Sequence, residues 1–432
     1  MVGPYVSSRV QPAEFTSAHA PGSTISRVLK MSEEKKPAKG EEGSFTISNE
    51  SLQDVVRRHT GSDHISVTVS ATEEVVPAGE NYLSDLRRVR LTVSESGQKS
   101  KETTLIVKSF PQGEIAQGFI QEQMLFEKER QVYKEVLPDV NRLAVEALGS
   151  SPFSPEFYDT IEKDVLILED LKATGFEMAD RQAGLDLAHC RLVVEALARF
   201  HAISLAMLDR QELQTGALRE VMFKESNKKL ESFLRPTYSE VADAVGTWPG
   251  YERFADRLRL AGETVFRKLL GLFGAGGELV VLCHGDLWCN NMLFKYSAAG
   301  EPLEVRFVDF QVTRLASAAT DLHYFLLGGP SDDVRKQGSG PLLRVYHDQL
   351  CRALRLLDCD HLVVSFSRVE QEMKDHMLYA LNVACTFMQA FLAEPGPPET
   401  DSTRGMKCRL TSQRYQRALK QVLLSAEEQG VL

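Results

Sequence analysis

Three short apolar segments in the second half of the chain end or begin at polar residues, and this arrangement constrains the fold most. Residues 279–282 lead into His-Gly-Asp, which ends at Asp286. Residues 292–294 follow directly after Asn291, and a third apolar segment ends at Asp309. Short apolar runs bounded by turn residues are typical of buried β-strands. We therefore expect Asp286 and Asn291 to lie on one tight loop between two strands, and Asp309 to lie at the end of a third.

The residue types at these three positions are those that phosphoryl transfer from ATP requires. Mg²⁺ prefers hard oxygen ligands, and one carboxylate with one amide oxygen, here Asp309 and Asn291, is the usual protein share in kinase-type sites. A second carboxylate, Asp286, would accept or orient the proton of an acceptor hydroxyl. Asp286 precedes Asn291 by five positions and an Asp-Phe pair follows, which is the spacing of a kinase catalytic loop. The alternative is that Asp286 and Asn291 only stabilise a tight turn.

The first part of the chain has a mixed pattern. Residues 65–71 and 89–93 alternate apolar and polar side chains, and residues 103–108 are β-branched and short. All three are predicted to be strands of an antiparallel sheet. A helix is predicted over 119–137, ended by Pro138.

The remainder of the chain is predicted to be mainly helical. An apolar strand over 165–171 comes first, and Asp186 is then predicted to cap a helix over 187–207. The helical pattern resumes at Asp321 and continues to the C-terminus. We therefore predict an α+β protein in which a small antiparallel sheet lobe and a large helical lobe enclose a ligand-binding cleft.

Charge and hydropathy argue against two classes of protein. The 432 residues carry 50 Lys and Arg against 60 Asp and Glu, a formal net charge of −10, whereas a nucleic-acid binder needs a basic face. The longest uncharged stretch, residues 377–393, is short for a membrane span and contains polar residues. We expect neither nucleic-acid binding nor membrane insertion.

The cysteines indicate reduced thiols in a cytoplasmic protein rather than a disulfide framework, because they are odd in number and widely scattered. Cys283, His284 and Cys289 include the ligand types of zinc, but no second pair with ligand spacing completes a set. The seven cysteines are Cys190, Cys283, Cys289, Cys351, Cys359, Cys385 and Cys408.

The first 44 residues are predicted to be a disordered leader. They are rich in small polar residues and then in charged ones, a composition that buries too little apolar surface to fold. A mitochondrial presequence within residues 1–30 is the alternative, and Met31 is a candidate second start.

The segment HGDLWCNNMLF, with FVDFQ and DLHYFL after it, resembles the ecdysteroid kinase-like family, which is related to choline kinases and aminoglycoside phosphotransferases. The resemblance extends over about residues 79–391 and includes LIVKSFP at 105–111, all in the order of the family. Two features resemble this branch of the family in particular: Trp288, and the motif DFQ where protein kinases have DFG. The resemblance implies a bilobal protein-kinase-like fold and a requirement for ATP and Mg²⁺.

The resemblance also implies the nucleotide-binding residues of the smaller lobe. Lys108 would contact the ATP phosphates, with Glu129 holding its ammonium in place; Glu127 or Glu122 would be the partner if the helix register differed. An exposed pair of this kind would contribute only ~0–1 kcal/mol to stability. The backbone of a candidate phosphate loop would approach the phosphates, although the same segment alone would read as a hairpin loop. The loop residues are Gly79, Asn81, Tyr82 and Ser84.

An interlobe hinge at residues 169–171 is implied by the same resemblance. The backbone of Glu169 and Leu171 would read the adenine edge, and the side chains of Glu169 and Asp170 are expected to be solvated or capping. The implied divisions are a leader over 1–44, a nucleotide-binding lobe over 45–168 and a helical lobe with the catalytic loop and acceptor pocket over 172–432.

Three further polar residues are expected to have structural roles. His201 and His284 would bond to the backbone or to the catalytic loop. Asp321 resembles a carboxylate of the family that braces the helical lobe, and we do not expect it to bind the metal.

Together these features predict a phosphotransferase with an alcohol group as acceptor. The candidate acceptors are an ecdysteroid, another sterol or a xenobiotic. The alternatives are a choline- or ethanolamine-type kinase and a catalytically inactive nucleotide- or steroid-binding protein. A protein kinase is disfavoured because Asp321 follows Asp309 by only 12 residues, which leaves no room for a long activation segment. No obligate protein partner is indicated.

Overall fold

The computed structural model of the chain describes residues 47–62, 64–75, 85–95, 99–109, 124–160, 164–274, 277–393 and 410–432. The predicted leader and the candidate phosphate loop lie outside the described residues. The loop residues concerned are Gly79, Asn81, Tyr82 and Ser84.

The smaller lobe is built on a five-stranded sheet in the order β1-β2-β3-β5-β4, and its neighbouring strands pair antiparallel. Helix α1, Asn49–Thr60, packs on one face through Leu52, Val55 and Val56. Apolar and polar side chains alternate along the strands, so the apolar ones share the face that packs against this helix. The strands are β1 Ile65–Glu74, β2 Asp85–Glu95, β3 Lys101–Ser109, β4 Phe157–Tyr158 and β5 Val165–Glu169.

The residues described between β3 and β4 include a long helical segment, and it does not end where the sequence predicted. Helix α2, Leu125–Gln131, passes through a π-helical turn, Val132–Val136, directly into helix α3, Leu137–Glu146. Pro138 therefore begins a helix instead of ending one. The prediction was wrong because proline lacks only an N–H that the first turn of a helix leaves unpaired anyway.

The larger lobe is mainly helical, as predicted. Asp186 caps its longest helix by accepting a hydrogen bond from the backbone N–H of His189, as predicted. The uncharged stretch 377–393 is buried in this lobe as α11 and α12. The helices are α4 Leu187–Asp209, α5 Lys228–Val245, α6 Phe254–Gly274, α7 Ala318–Gly328, α8 Asp332–Lys336, α9 Gly340–Leu356, α10 Phe366–Asp375, α11 Met377–Cys385, α12 Met388–Phe391 and α13 Gln413–Glu428.

Two small sheets lie on the side of the larger lobe that holds the site. One pairs β7 with β10, and the other has the order β6-β8-β9. Because β7 and β8 belong to different sheets, the loop between them crosses from one sheet to the other. The strands are β6 Phe176–Met178, β7 Val280–Cys283, β8 Met292–Tyr296, β9 Pro302–Phe307 and β10 Arg314–Ser317.

One hydrophobic core connects the lobes. It contains Val132 and Tyr133 of the π-helical turn, Leu168 of β5, and residues of α4 such as Phe200. The predicted fold class is confirmed: an α+β protein with a small antiparallel sheet lobe and a large helical lobe. The boundaries given for the lobes and the hinge stay a prediction.

Two further expectations concern the surroundings of the protein. Within the ranges that the structure describes, no helix combines the length and apolar composition that crossing a bilayer requires. The six described cysteines are free and buried, and Cys408 lies outside the described residues.

Candidate active site

Lys108 lies on the face of β3 that points away from α1. Side chains alternate along a strand, and Leu105 and Val107 are buried in the core beneath α1, so Lys108 points to the opposite face. Its neighbours across the sheet are Leu86 and Leu166. This central position leaves only 7% of the lysine side chain exposed.

Two carboxylates neutralise the buried ammonium. The Nζ atom of Lys108 donates to both oxygens of Glu129, at 2.9 and 2.7 Å, and to Oδ1 of Asp309 at 2.6 Å. Burial lowers the pKa of Lys108, but the charges of Asp309 and Glu129 outweigh it and hold the pKa above its ordinary value. Burial raises the pKa of Glu129, and the nearby Lys108 ammonium opposes that rise. The amine of Lys108 is thus held as a cation at a fixed point.

The register of α2 decides which glutamate faces the lysine. Glu129 is buried and takes this position, whereas Glu127 accepts a hydrogen bond from the side-chain amide of Gln131 at 3.1 Å. Glu122 lies outside the described residues.

Asp309 has a strained backbone. Its φ is +70°, in the left-handed region, which costs a residue with a Cβ about 1–3 kcal/mol and often marks a functional site. The next residue, Phe310, is fully buried and its ring lies 5.5 Å from that of Tyr133 and 4.6 Å from that of His284. Phe310 therefore packs between the π-helical turn and His284, and this packing holds the neighbouring Asp309 in place.

Both carboxylate oxygens of Asp286 are held in the predicted catalytic loop, residues 284–291, one by Asn291 of the loop and one by Tyr324 of α7. Asn291 donates from Nδ2 to Oδ2 of Asp286 at 2.9 Å and to its backbone oxygen at 2.8 Å. The hydroxyl of Tyr324 donates to Oδ1 of Asp286 at 2.5 Å. Burial raises the pKa of Asp286 to about 7, with a smaller contribution from the charge of Asp309, although both hydrogen bonds oppose the rise. A carboxylate with such a pKa can accept a proton near neutral pH.

Asp321 braces the backbone of the catalytic loop from α7. Its carboxylate accepts from the backbone N–H of His284 at 2.7 Å and of Gly285 at 2.8 Å. His201 lies 3.3 Å from the same carboxylate through Nε2, and its Nδ1 is 2.8 Å from the hydroxyl of Tyr346. Its ring thus bonds two side chains, and the prediction that it bonds the backbone or the catalytic loop was wrong. Burial raises the pKa of Asp321, but the hydrogen bonds from His201 and the loop outweigh this and lower the pKa below its ordinary value. Asp321 is therefore an anion that organises the loop.

His284 closes the loop from within. Its Nε2 donates to the backbone oxygen of Val308 at 3.0 Å, and its Nδ1 accepts from the backbone N–H of Asp286 at 3.2 Å. Burial lowers the pKa of His284, which favours the neutral ring that this pattern requires. Gly285 has a φ of +87°, and a Cβ there would lie 2.7 Å from the backbone oxygen of Val312, so only glycine fits.

The donor set fits Mg²⁺ better than a softer metal. Asp309 offers a carboxylate that is one-quarter exposed, and Asn291 offers an amide oxygen on the adjacent loop; both are hard donors. A separate group, His201, Cys283 and Asp321, has ligand atoms within 4.8 Å of one another. Its members are fully buried and already hydrogen-bonded, and burial raises the pKa of the Cys283 thiol, which disfavours metal binding.

The predicted hinge differs from expectation in its side chains. Of the two predicted roles for the Asp170 side chain, solvated or capping, the structure shows capping, since it accepts from the backbone N–H of Lys172 at 3.2 Å. It is not solvated: it is buried and also accepts from Arg88 Nε at 2.6 Å and from the Thr104 hydroxyl at 2.8 Å. These donors come from β2 and β3, far away in sequence. The N–H of Glu169 donates to the backbone oxygen of Glu156 at 2.9 Å, and the oxygen of Leu171 accepts from Phe176 N–H at 2.9 Å. Those two backbone groups are therefore not the ones that would read adenine.

Tyr324 and the neighbouring Phe387 and Phe391 were not predicted as part of the site, although Trp288 beside them was singled out in the sequence. The ring of Tyr324 lies 5.2 Å from that of Phe391 and 6.1 Å from that of Phe387, and Phe391 stacks on Trp288 at 5.0 Å. We call Trp288, Tyr324, Phe387 and Phe391 the aromatic cluster. Tyr324 follows Asp321 by three residues in one helix, so the two share a face, and this spacing could have revealed it.

Comparison with known proteins gives a family and several similar structures. The model of the ecdysteroid kinase-like family matches residues 78–359. The chain is similar to a crystal structure of spectinomycin phosphotransferase with ADP and spectinomycin, at 11% identity and a TM-score of 0.35, over 89% of this chain and 99% of that chain. It is also similar to the GDP and kanamycin complex of APH(2")-IIia, at 12% identity and a TM-score of 0.35, over 88% and 98%. No curated protein matches the chain.

Proposed function

The chain belongs to the ecdysteroid kinase-like family, and on this premise we propose that it transfers the γ-phosphoryl group of ATP to a hydroxyl of a small molecule. One observation carries the proposal: the Lys108–Glu129 pair of the smaller lobe meets Asp309 of the larger lobe within hydrogen-bonding distance. Asp286 and Asn291 lie on the adjacent loop. Phosphoryl transfer depends on such a convergence because its catalysis is mainly positioning and charge stabilisation.

Each group has one role in the proposal. Lys108 binds the ATP phosphates as a point charge, and Glu129 holds it there. Asn291 and Asp309 would hold Mg²⁺, which when bound neutralises charge on the phosphates. Asp286 accepts the proton of the acceptor hydroxyl, whose oxygen forms the new bond to phosphorus as ADP leaves.

The phosphate loop and the adenine site complete the proposal in the smaller lobe. The backbone around Gly79, Asn81, Tyr82 and Ser84 would approach the phosphates. Residues 169–171 would bind the adenine edge through backbone groups other than the two already bonded. Both assignments are drawn from the family resemblance.

The acceptor site is assigned to the surroundings of Asp286. Trp288 and Phe387 are half-buried aromatic rings, and the cluster to which they belong includes the tyrosine bonded to Asp286. Such a surface supports an alcohol with apolar rings, such as a sterol or a xenobiotic. A quaternary ammonium over the same rings would instead make the protein a choline- or ethanolamine-type kinase. The free thiols support a cytoplasmic location.

A substrate screen tests the reaction. ATP consumption with Mg²⁺ should be measured against a panel of sterols, amino alcohols and phenolic glycosides. Phosphorylation of a ring-bearing alcohol supports the proposal, and phosphorylation of amino alcohols alone would favour the choline-type alternative. Tight steroid binding without binding or consumption of ATP would identify a binding protein instead.

The Asp286→Asn variant tests the base. It keeps the shape of the side chain and removes the proton acceptor, so turnover should fall by ~10²–10⁴-fold while the affinity for ATP is kept. The exposed Asp256, changed to Asn, is the control. Turnover above about a tenth of the wild-type value, on the same scale, would contradict the assignment of Asp286.

A further inference from the structure

Tyr324 belongs to the aromatic cluster and contacts the candidate base, but its hydroxyl has no role assigned so far. It lies on α7, is 4% exposed, and donates its hydroxyl to Oδ1 of Asp286. A buried tyrosine hydroxyl needs a polar partner, and many could serve. This one is bonded to the carboxylate assigned to accept the proton.

The ring of Tyr324 is fixed in place by the rest of the aromatic cluster. Phe391 and Phe387 contact it from α12 and the residue before that helix. One turn earlier on α7, Asp321 holds the backbone of the catalytic loop through two N–H groups. The same helix thus holds the loop backbone through Asp321 and the loop side chain through Tyr324.

A carboxylate needs such support because the last torsion of aspartate is broad and only weakly restricted by its own rotamers. Asn291 holds Oδ2 and Tyr324 holds Oδ1, so the plane of the carboxylate is defined by two donors from different elements. An ionised carboxylate has about four acceptor sites. Among the described residues, these donors fill two of the four sites, which leaves two for the hydroxyl of an acceptor.

We propose that Tyr324 is a positioning residue for phosphoryl transfer, which fixes the Asp286 carboxylate in the orientation that receives the acceptor proton. This inference rests on the proposed function. Its physical basis is that a displacement of about 1 Å at a reacting group can cost about 10²-fold in rate. The hydroxyl of Tyr324 acts through Asp286 and does not itself have to touch the substrate.

The first test compares crystal structures of the full chain and of its Tyr324→Phe variant. Phenylalanine keeps the ring and its packing, so the fold should be unchanged. We expect the Asp286 carboxylate to rotate out of its wild-type plane, because only Asn291 then holds it. A carboxylate in the same orientation in both structures would overturn the proposal, whatever the activity of the variant.

The second test is kinetic and uses MgATP with the alcohol of the panel that is turned over fastest. We expect Tyr324→Phe to lower kcat by about 10- to 100-fold with an unchanged KM for ATP. In the Asp286→Asn background the same change should have no further effect. A raised KM for ATP at constant kcat would overturn the proposal. So would a loss of kcat from Tyr324→Phe in the Asp286→Asn background as large as the loss in the wild type.

The matched control is Tyr415→Phe. Tyr415 is also fully buried, and its hydroxyl donates to the backbone oxygen of Ala384 at 3.2 Å, away from the loop. The Tyr415→Phe variant should have the same melting temperature as Tyr324→Phe and the same kcat as the wild type. If no alcohol of the panel is phosphorylated, the proposed function fails, and the crystal structures alone still decide whether Tyr324 fixes Asp286.

Discussion

The ammonium of Lys108 is a charge buried in a mostly apolar lobe, and two carboxylate partners stabilise it there. The expectation of a weak, exposed ion pair was wrong, because the side chains of Lys108 and Glu129 are only 7% and 1% exposed. A buried pair gives little net stability over an apolar replacement, but removing one partner leaves an unpaired charge and costs about 3–5 kcal/mol. The pair should therefore affect both stability and turnover.

Lys108→Ala should lower the free energy of unfolding by about 3–5 kcal/mol and remove most turnover. Glu129→Ala should cost less stability, because Lys108 keeps its bond to Asp309. The losses of unfolding free energy and turnover in the two single variants, added together, should exceed the losses in the double variant. Denaturant unfolding and steady-state rates measure both effects.

Lys134→Ala is the control, since Lys134 is half exposed and pairs with the partly exposed Asp159. It should cost at most about 1 kcal/mol. Fully additive losses at Lys108 and Glu129 would show that the two residues act independently.

Side-chain partners were predictable where local spacing or the family resemblance indicates them, as the resemblance did for Lys108 and Glu129. Asp286 and Asn291 were expected on one loop because they lie five positions apart between two apolar strands, and the structure joins them by a hydrogen bond. The bond of Asp170 to Arg88, which lies 82 residues away, was not predicted. No local pattern contains that pairing, which depends on the register of β2 and β3.

At the scale of elements, α7 organises the catalytic loop, and its last residue, Gly328, keeps its contact with α12 close. A Cβ on Gly328 would lie 2.7 Å from the ring of Phe391, so Gly328→Ala should displace that ring from the aromatic cluster. We expect a stability loss of about 1–3 kcal/mol from overpacking, together with a lower kcat. Thermal unfolding and rate measurements are the test.

Gly271→Ala is the matched control in α6, because a Cβ there would meet nothing within 4 Å. It should be neutral or stabilise by up to about 1 kcal/mol. An equal response of the two glycines would show that backbone propensity, and not the contact with Phe391, determines the effect at Gly328.

The same helix contains a buried histidine that makes stability depend on pH. His323 is 2.8 Å from the backbone oxygen of Met373 through Nε2, and burial lowers its pKa from 6.5 to about 4. Because the unfolded chain binds the proton first, the stabilisation is complete above pH 6.5 and is lost as the pH falls towards 4. The loss is about 3 kcal/mol.

His323→Gln should flatten the decline in unfolding free energy over this range, since glutamine does not take up a proton. The exposed His361, changed to Gln, serves as the control. A decline that keeps its full slope in His323→Gln would assign the pH dependence to other groups.

The elements themselves were predictable where side-chain periodicity is strong. The alternation in residues 65–71 and 89–93 predicted two strands, and both are found within β1 and β2. Pro138 was misinterpreted because proline disfavours the middle of a helix but suits its first turn. The π-helical turn before it changes the helix locally, and no residue pattern predicted this.

At the scale of the whole molecule, the site draws its groups from both lobes, so a ligand bound there should stabilise the entire chain. Lys108 comes from β3, whereas Asn291 and Asp309 follow strands of the larger lobe. A ligand that binds only the folded protein adds about 2.7 kcal/mol to the free energy of unfolding at 100 times its Kd.

We expect ATP with Mg²⁺ to raise the melting temperature more than ATP alone. Asparagine tolerates the positive φ at position 309. In calorimetry, Asp309→Asn should abolish the extra rise in melting temperature that Mg²⁺ gives, whereas Asp256→Asn should keep that rise. An unchanged magnesium dependence in Asp309→Asn would place the metal at other ligands.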